Sequence, residues 1–306
     1  MTTSQGRPKI YVGSWCFTFG FERPASLETV IKVVSAFGFD GIALAGFADH
    51  ATVERFPDKK SRADLVDTIH SHGLEVAGYS PDPYCMPWAT GDESVLATYE
   101  SYFRASLFLA ADIGSPVMRV DPGSFGPLGR EANYEAAWDR VVRTFAKQAA
   151  MAADSGVLLV WEPETGQIFV KPSEIVGVLN EVDSPNLKIS YDFAHAQAIS
   201  VLAHNQVQPV EKLEGGQLEF IEMLRGRIGD VGINDNDNNT YENLFGAHLG
   251  LGRGVLDLDV ITKAIIDSGF VGPWWGLDVI PMSPIVWMDV WNGLPEVREL
   301  LARHLK

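Results

Sequence analysis

The sequence is poor in cysteine. Only Cys16 and Cys85 occur in 306 residues, and they lie far apart, without the paired spacing of zinc-binding or redox motifs. Two distant cysteines also cannot form the dense disulfide framework that stabilises small secreted domains. We therefore expect reduced thiols and a cytoplasmic protein.

Long apolar runs are missing as well. No stretch approaches the roughly 20 consecutive apolar residues that a membrane-spanning helix needs. The first residues, MTTSQGRPK, are polar and lead directly into a predicted strand rather than into the apolar core of a signal peptide. These features predict neither membrane insertion nor secretion, in agreement with a cytoplasmic location.

Positive charge is scarce. The 24 Lys and Arg residues are outnumbered by 40 Asp and Glu residues, which gives a formal net charge of −16 at pH 7. Because such an acidic chain repels polyanions, nucleic acid is not an expected partner. Flexible Ser/Gly-rich linkers are also lacking, while hydrophobic residues make up 46% of the chain. We therefore predict one folded domain over residues 1–306.

What the sequence does contain is a set of buried strands that stop at carboxylates. In residues 156–164 (GVLLVWEPE), an apolar run ends in two acids separated by a proline. Such a run is typical of a parallel strand covered on both faces, and chemistry concentrates at the carboxyl ends of these strands. Four further apolar runs end in an acid: PVMRVD at Asp121, NLKISYD at Asp192, RIGDVGIND at Asp235 and WWGLD at Asp278. For Asp121 and Asp235, a turn or a helix cap is the competing interpretation.

Predicted strands and helices alternate along the whole chain. Eight strand-helix units at intervals of roughly 30 to 45 residues predict a single (β/α)8 TIM barrel of the α/β class. We expect the last helix to follow Pro295, and the segments PDPYCMPW and PGSFGPLG to form loops. An open doubly wound sheet is the alternative, but GLGRG follows a loop and lacks the strand context of a dinucleotide-binding fingerprint.

In a closed parallel barrel the strand-end acids face one another across one mouth. Glu162, Asp192 and Asp278 would then repel one another, and a bound divalent cation is the simplest compensation. Oxygen ligands suit Mg²⁺, Mn²⁺ or Ca²⁺, and the imidazole of His195 in the segment DFAH would shift the preference towards Mn²⁺, Zn²⁺ or Co²⁺. A structural or substrate-contacting role is the alternative for His195.

Several segments, in order along the chain, resemble one family. VWEPETG, ISYDFAHA, RIGDVGINDND, HLGLGRGVLDLDVI and WWGLDVI are similar to segments of the sugar phosphate isomerase/epimerase family, which has a xylose isomerase-like barrel, and in particular to its ketose 3-epimerase type. The similarity spans essentially the whole chain. It implies an enzyme that holds one divalent ion at its strand ends, with Glu162 and Asp192 as ligands and His195 as a contact for a substrate hydroxyl.

Two strand-end positions depart from the family pattern. The resemblance implies a metal-binding His on the seventh strand, where this chain has Gly232, and a Glu at the end of the eighth strand, where it has Asp278. Asn234, a water molecule and His248 are the candidates for the missing ligand. Nuclease relatives of the family use further histidines that this sequence lacks, so DNA repair is not expected.

Glu162 and Asp278 are the predicted catalytic pair. An epimerase needs two carboxylates on opposite faces of a sugar, one to remove a proton beside a carbonyl and one to return it. Asp278 is one methylene shorter than the implied Glu, which is about 1.5 Å of reach. The site is therefore either shaped for a different substrate or impaired in proton transfer on that side.

Aromatic and basic side chains complete the predicted site. Trp15, Tyr79 and Arg119 stand at or near predicted strand ends, where we expect them to contact the substrate together with His195 and His248. Core packing is the alternative for the two aromatic residues. For Arg119, a buried ion pair with one of the acids is the alternative.

The sequence thus predicts a metal-dependent isomerase or epimerase that acts on a small carbohydrate (a sugar, keto-sugar or cyclitol) by removing a proton next to a carbonyl. Mn²⁺ or Mg²⁺ is the expected ion, with Zn²⁺ or Co²⁺ as the other options. A lyase or dehydratase on a keto-sugar would use the same first step. A barrel that has lost catalysis and only binds sugar is a further alternative, and a homo-oligomer is left open.

Overall fold

A computed structural model describes residues 7–18, 23–81, 86–123, 134–241, 245–280 and 286–305. The barrel strands are β1 (Lys9–Gly13), β2 (Gly41–Gly46), β3 (Glu75–Pro81), β4 (Val117–Val120), β5 (Leu158–Trp161), β6 (Leu187–Asp192), β7 (Ile228–Ile233) and β8 (Trp274–Leu277). They close in the order β1-β8-β7-β6-β5-β4-β3-β2. This closure confirms the predicted (β/α)8 barrel and excludes the open doubly wound sheet.

The register of β1 shows how the barrel closes. Tyr11 lies opposite Gly41 of β2 on one side and opposite Gly276 of β8 on the other, and both pairings are parallel. β2 (GIALAG) is buried along its whole length. Strands of this kind read as continuous apolar runs because the barrel interior covers one face and the helices cover the other.

Within the described residues, eight helices of two turns or more surround the strands, and local sequence signals fix several of their ends. They are α1 (Leu27–Phe37), α2 (Lys59–Ser71), α3 (Glu93–Asp112), α4 (Tyr134–Asp154), α5 (Pro172–Val182), α6 (Gly216–Met223), α7 (Leu258–Asp267) and α8 (Val286–His304). The side chains of Ser26, Asp58 and Asp92 accept backbone N–H groups at the starts of α1, α2 and α3. Gly38 ends α1 in the left-handed conformation.

The final helix begins earlier than predicted. α8 starts at Val286 and contains Pro295, so the expectation that the helix follows the proline is wrong. A proline inside a helix removes one backbone hydrogen bond and crowds the preceding turn. Here Val290, Leu294 and Val297 form a buried apolar face on both sides of the proline. Tertiary packing of that face outweighs the local preference.

Two connections at the carboxyl end of the barrel have regular structure of their own. After β6 the chain forms a short helix (Phe193–Ala196) that continues into a π-helical turn (Gln197–Val201). After β7, Thr240–Tyr241 and Phe245–Gly246 pair as an antiparallel hairpin. Both connections therefore hold defined backbone next to the strand ends.

Parts of two predicted loops lie outside the described residues, namely 82–85 of PDPYCMPW and 124–129 of PGSFGPLG. Cys85 falls in the first of these gaps, and Cys16 is a buried free thiol. Among the described helices, none is long and apolar enough to cross a bilayer. One domain over residues 1–306 remains our prediction.

The apolar core has two parts. The larger part fills the space between the strands and the helices, and a small cluster of Tyr11, Ala43, Ala77 and Trp274 lies inside the barrel. Ala43, Gly78 and Gly232 line a cavity beneath the carboxyl-terminal mouth of the barrel. The polar site lies at that mouth.

Candidate active site

Three of the predicted acids meet at the carboxyl-terminal mouth. Glu162 directly follows β5, Asp192 ends β6 and Asp278 directly follows β8. The strands run parallel, so their carboxyl ends share one side of the barrel. All three residues are buried, with relative exposures of 7%, 2% and 7%.

The mutual distances of these acids fit a bound cation. Ligand oxygens from Glu162, Asp192 and Asp278 all lie within 4.8 Å of one another. Burial raises the pKa of Glu162 well above its usual value and the pKa of Asp192 to about 6, and neighbouring acids add to both increases. Three hard oxygen ligands that repel one another at this separation suit a divalent metal ion.

Arg119, on β4, is the guanidinium beside these acids. Its Nε donates to Asp121 at 3.0 Å, its Nη1 donates to Glu162, and its Nη2 donates to Glu164 Oε1 at 2.7 Å. Each nitrogen of the guanidinium therefore faces a carboxylate. These contacts favour the buried ion-pair alternative, and a contact of Arg119 with substrate stays a prediction.

Glu164 is not among the predicted site residues, yet it lies in the same cluster. Besides pairing with Arg119, its Oε1 is 3.5 Å from Nε2 of His195. Burial raises the pKa of Glu164. The sequence feature that could have identified Glu164 is the segment WEPE, in which two acids on either side of a proline follow a buried strand.

Asp121 has a supporting role through Gln167. The Gln167 Nε2 donates to Asp121 Oδ1 at 2.9 Å and to the carbonyl oxygen of Glu162 at 2.7 Å. Its Oε1 accepts the indole N–H of Trp161 at 2.7 Å. Gln167 thus ties the end of β4 to the end of β5 and fixes the backbone at Glu162.

Asp278 is surrounded by hydrogen-bond donors. Trp15 Nε1 donates to Asp278 Oδ1 at 2.9 Å, and Cys16 Sγ and His248 Nδ1 lie 3.6 Å and 3.7 Å from the same oxygen. Burial acts to raise the pKa of Asp278, but His248 and Trp15 outweigh it, so the pKa lies below its usual value. At Glu162 burial also acts to raise the pKa, and there it prevails, so the pKa lies above its usual value. The predicted catalytic pair therefore sits in two different environments.

Gly232 lies on β7 between acids of the two neighbouring strands. It pairs with Asp192 of β6 and with Gly276 of β8. A Cβ atom at this glycine would lie 2.8 Å from Asp192 Oδ2 and 3.5 Å from Asp278 Cβ. The seventh strand therefore contributes no side chain at the point where the resemblance implies a metal-binding His.

Asn234 is fully buried and held by three hydrogen bonds. Its Nδ2 donates to Asp192 Oδ2 at 2.5 Å and to the carbonyl oxygen of Asp278 at 3.1 Å. Its Oδ1 accepts the backbone N–H of Ala194 at 2.9 Å. These contacts favour a role in orienting Asp192, and metal ligation by Asn234 stays a prediction.

His195 presents an N–H group to the site. The backbone N–H of Gly246 donates to its Nδ1 at 3.2 Å, so the neutral ring carries its proton on Nε2. Burial lowers the pKa of His195 well below its usual value, which favours this neutral form. The Nε2 atom lies 3.2 Å from His248 Nε2. A ring N–H in this position suits a hydrogen bond to a hydroxyl group, and contact of His195 with a substrate hydroxyl stays a prediction.

The loop that carries His248 is anchored on both sides of the residue. Leu249 and Asp235 exchange two backbone hydrogen bonds of 2.9 Å and 2.8 Å. Asn236 Nδ2 donates to the carbonyl oxygen of Ala247 at 2.9 Å. These bonds fix the backbone of the residues next to His248 and hold the imidazole at the mouth.

His248 itself lies against two of the acids. It is 1% exposed, and its Nε2 lies 3.4 Å from Asp192 Oδ1. Burial acts to lower the pKa of His248, but Asp192 and Asp278 raise it to about 9. The structure thus places this predicted residue among the acids, although it comes from a loop.

Asp235 stabilises a turn, which is the competing interpretation given for this residue above. Its carboxylate accepts the backbone N–H groups of Asn236, Gly254 and Leu256 at 2.8 Å, 2.9 Å and 3.1 Å. A Cβ atom at Gly254 would lie 2.2 Å from Asp235 Oδ1. The segment GLGRG therefore wraps around a carboxylate, and this close approach explains its last glycine.

Tyr79 belongs to the core between strands and helices. Its hydroxyl donates to the carbonyl oxygen of Ala51 at 3.1 Å, and its ring is part of the larger apolar cluster. These contacts favour the core-packing alternative, so its contact with substrate stays a prediction. Trp15, in contrast, is placed directly on Asp278.

A small cavity leads from Glu162 and Asp278 into the barrel, with Gly78 and Gly232 in its wall. Deeper in the barrel, Asp230 accepts hydrogen bonds from the hydroxyls of Tyr11 at 2.9 Å and Ser190 at 3.2 Å. This polar group is not among the predicted site residues. The sequence feature that could have identified Asp230 is its position as an acid inside the largely apolar strand segment RIGDVGI.

Sequence comparison gives matches over most of the chain. The profile of the xylose isomerase-like TIM barrel family matches residues 31–302. An uncharacterised protein of Methanocaldococcus jannaschii is 22% identical over 254 residues, which span 81% of this chain and 78% of that protein.

Solved structures align along nearly the whole chain. A D-tagatose 3-epimerase-like protein has a TM-score of 0.74 and 19% identity, with 96% of this chain and 97% of that chain covered. The IolI protein, solved with a zinc atom, has a TM-score of 0.74 and 14% identity, with coverages of 97% and 99%. The probable 3-DHS dehydratase AsbF of Bacillus anthracis has a TM-score of 0.66 and 16% identity, with coverages of 96% and 98%. At these identities the likeness concerns the fold.

Proposed function

Because this chain belongs to the xylose isomerase-like TIM barrel family, we propose that it is a metal-dependent isomerase or epimerase acting on a sugar, keto-sugar or cyclitol. The reaction begins with removal of a proton from a carbon next to a carbonyl. Glu162 and Asp278 are the proposed acid–base pair. The D-tagatose 3-epimerase-like structure supports this choice of reaction, since it shares the fold over nearly the whole chain.

The single observation that carries the proposal is the convergence of three buried carboxylates from β5, β6 and β8 within 4.8 Å of one another. Two of them, Glu162 and Asp278, also line the cavity that leads into the barrel. They stand on strands that are separated by β6 and β7. A substrate between them would therefore meet one carboxylate on each side, as an exchange of configuration at carbon requires.

The proton balance of the proposed epimerisation is simple. One carboxylate takes the proton from carbon, and the electron pair of the broken C–H bond moves towards the neighbouring carbonyl group. The other carboxyl group then gives a proton to the opposite face of the same carbon. The configuration of the starting sugar decides which of Glu162 and Asp278 acts first. His195 would donate its Nε2 proton in a hydrogen bond to a substrate hydroxyl.

Glu162, Asp192 and Asp278 would hold the divalent ion. Their oxygen ligands favour Mn²⁺ or Mg²⁺, and a nitrogen ligand would favour Zn²⁺ or Co²⁺. When bound, the ion supplies positive charge that polarises the carbonyl oxygen of the substrate. The zinc atom in the IolI structure supports metal binding within this fold.

A dehydratase is the second candidate, because the probable dehydratase AsbF shares the fold. It would begin with the same removal of a proton beside a carbonyl. The hydroxyl group on the adjacent carbon would then take up a proton from one of the two proposed acid–base residues and leave as water. The electron pair from the broken C–H bond would form a C=C bond. The two reactions differ only in this second half.

The test is proton exchange in D₂O with Mn²⁺ and a panel of keto-sugars that includes D-tagatose and D-psicose. We expect deuterium at the carbon beside the carbonyl and an epimeric product, and we expect Glu162→Gln to remove both signals. Glu181→Gln is the matched control, because it makes the same change at an exposed position of α5. A product that has lost water would favour the dehydratase. If metal binds but no carbon-bound proton exchanges, the interpretation that remains is a barrel that binds sugar without catalysis.

A further inference from the structure

An imidazole from elsewhere in the chain, His248, approaches the two acids that flank Gly232. A side chain at position 232 would start between Asp192 and Asp278, because its Cβ would lie 2.8 Å from Asp192 Oδ2 and 3.5 Å from Asp278 Cβ. The two nitrogens of His248 approach the same acids, with Nε2 3.4 Å from Asp192 Oδ1 and Nδ1 3.7 Å from Asp278 Oδ1. His248 therefore lies between the two carboxylates that flank the glycine.

The separation of His248 and Asp192 suits two ligands of one ion. Nitrogen and oxygen ligands of Zn²⁺ lie about 2.0–2.2 Å from the ion, so two ligands of one such ion would be at most about 4.4 Å apart. The Nε2 atom of His248 and Oδ1 of Asp192 are 3.4 Å apart in a fully buried position. An ion could bind both atoms without a change in their separation.

Hydrogen bonding distinguishes the two histidines of the site. The N–H of Gly246 donates to Nδ1 of His195, so the ring proton of His195 is on Nε2 and that atom has no lone pair for a cation. Nε2 of His248 lies 3.2 Å from this N–H group and 3.4 Å from Asp192 Oδ1, and in the neutral ring with its proton on Nδ1 this nitrogen carries a lone pair. The lone pair of His248 Nε2 therefore faces the site.

The other ring nitrogen of His248 also fits a ligand. Within the described part of the chain, Nδ1 of His248 has no hydrogen-bond partner, and it faces Asp278 Oδ1 at 3.7 Å. Metal-binding histidines commonly direct their second ring N–H at a carboxylate, which fixes the ring orientation. Trp15 contacts the same Oδ1 atom. The second oxygen of Asp278 takes part in neither contact.

We propose that His248 is a ligand of the divalent ion, bound through Nε2 beside Asp192, and that it replaces the side chain which Gly232 does not provide. This inference rests on the metal-dependent function proposed above. A nitrogen ligand shifts the preference of the site from Mg²⁺ towards Mn²⁺, Co²⁺ or Zn²⁺. His195 is then not a ligand and keeps its Nε2 proton for a substrate hydroxyl.

Pulsed electron paramagnetic resonance of the Mn²⁺-loaded protein tests the nitrogen directly. We expect nitrogen hyperfine coupling from one imidazole in the wild type, loss of this coupling in His248→Ala and its retention in His195→Ala. Calorimetric titration should show Mn²⁺ binding at least about tenfold weaker in His248→Ala. His204→Ala is the matched control, because His204 lies in the same region and contacts Thr240 Oγ1 at 2.7 Å.

A double variant tests whether a histidine at position 232 can replace His248 as a metal ligand. Adding Gly232→His to His248→Ala returns an imidazole to the space between Asp192 and Asp278. We expect Mn²⁺ affinity and the nitrogen coupling to return in this double variant. Gly232→Ala in the same background adds a Cβ atom without an imidazole, so it should not restore either signal.

The outcomes separate this inference from the proposed function. Nitrogen coupling that persists in His248→Ala and disappears in His195→Ala would overturn it and assign the ligand to His195. Bound Mn²⁺ without nitrogen coupling in the wild type would also overturn it, while Glu162→Gln could still abolish metal binding. If the wild type binds neither Mn²⁺ nor Zn²⁺, the metal-dependent function itself fails. Thermal unfolding of each variant shows whether the fold is retained.

Discussion

The two halves of the barrel mouth differ in what they contribute. The half formed by β5 to β8 carries all three candidate carboxylate ligands, Glu162, Asp192 and Asp278. The half formed by β1 to β4 carries Trp15, which donates to Asp278, and Arg119, which pairs with Glu162. One half thus supplies the proposed reacting and metal-binding groups, and the other half contributes hydrogen bonds and a positive charge to them.

This division has a consequence for mutation. A substitution among the acids of β5 to β8 should remove chemistry while the fold survives. A substitution in the supporting half should instead change stability, or change the environment of an acid without removing it. Variants from the two halves can therefore be ranked by size and by the kind of effect.

The largest loss is expected for Asp192→Asn. This variant keeps an oxygen to accept the N–H of His195, as Asp192 Oδ1 does at 2.9 Å, so the start of the short helix should remain capped. It removes a charged oxygen ligand, and we expect activity at background level and metal affinity lower by about a hundredfold or more. Metal titration and turnover measure the effect. Asp154→Asn at the exposed end of α4 is the control, and wild-type metal affinity in Asp192→Asn would contradict the assignment of the acids.

Arg119→Met should be the largest change in stability. It removes the guanidinium that pairs with three buried acids but keeps much of the apolar volume. Leaving buried charges without a partner costs about 3–5 kcal/mol of the free energy of unfolding. Chemical denaturation measures this loss, with Arg225→Met in an exposed pair with Glu222 as the control. Equal stability of the two variants would mean that Arg119 does not hold the acids together.

A smaller effect is expected for Trp15→Phe. The variant removes the indole N–H that donates to Asp278 at 2.9 Å. That hydrogen bond lowers the pKa of Asp278, so its loss should raise this pKa and move the acidic limb of the pH–rate profile to higher pH. Loss of one hydrogen bond to a charged group, about 1.5–3 kcal/mol, corresponds to roughly tenfold or more in turnover. Trp291→Phe, at a site that is 60% exposed, should leave the profile unchanged.

The smallest effect on activity is expected for Tyr79→Phe. The hydroxyl of Tyr79 donates to the carbonyl oxygen of Ala51 in the core between strands and helices. Its removal should cost about 1 kcal/mol of stability and leave the Michaelis constant unchanged. Steady-state kinetics and thermal unfolding measure both quantities. A clear rise in the Michaelis constant would restore Tyr79 as a substrate contact.

Much of the fold could be predicted from the sequence, because local sequence patterns specify the strands and helices. Apolar runs that end in acids locate the strands and their ends, and residues such as Ser26 and Gly38 mark the ends of α1. The convergence of Glu162, Asp192 and Asp278 follows from the parallel barrel itself. The start of α8 could not be read locally, since packing of its apolar face outweighs the proline signal.

The support around the acids could not be predicted in the same way. Arg119 meets Glu164 across 45 residues of sequence, and Tyr11 meets Asp230 across 219. Pairings over such distances depend on side-chain directions within the closed barrel, which no local pattern specifies. The position of His248 is of the same kind, because it depends on how the long connection after β7 folds back over the mouth.

Hydrogen bonds from the Asn236 side chain and from the backbone close that connection at its base. Asn236 Nδ2 donates to the carbonyl oxygens of both Asn239 and Ala247, at 3.0 Å and 2.9 Å, and the N–H of Ala247 donates to Asn239 at 3.0 Å. The chain therefore leaves and re-enters the mouth at nearly the same point. Since lengthening a loop with fixed ends costs little, residues added between Tyr241 and Phe245 should not displace His248. Evolution or design could thus vary the rim of the mouth, and with it the range of substrates of the proposed enzyme, while the acids beneath stay in place.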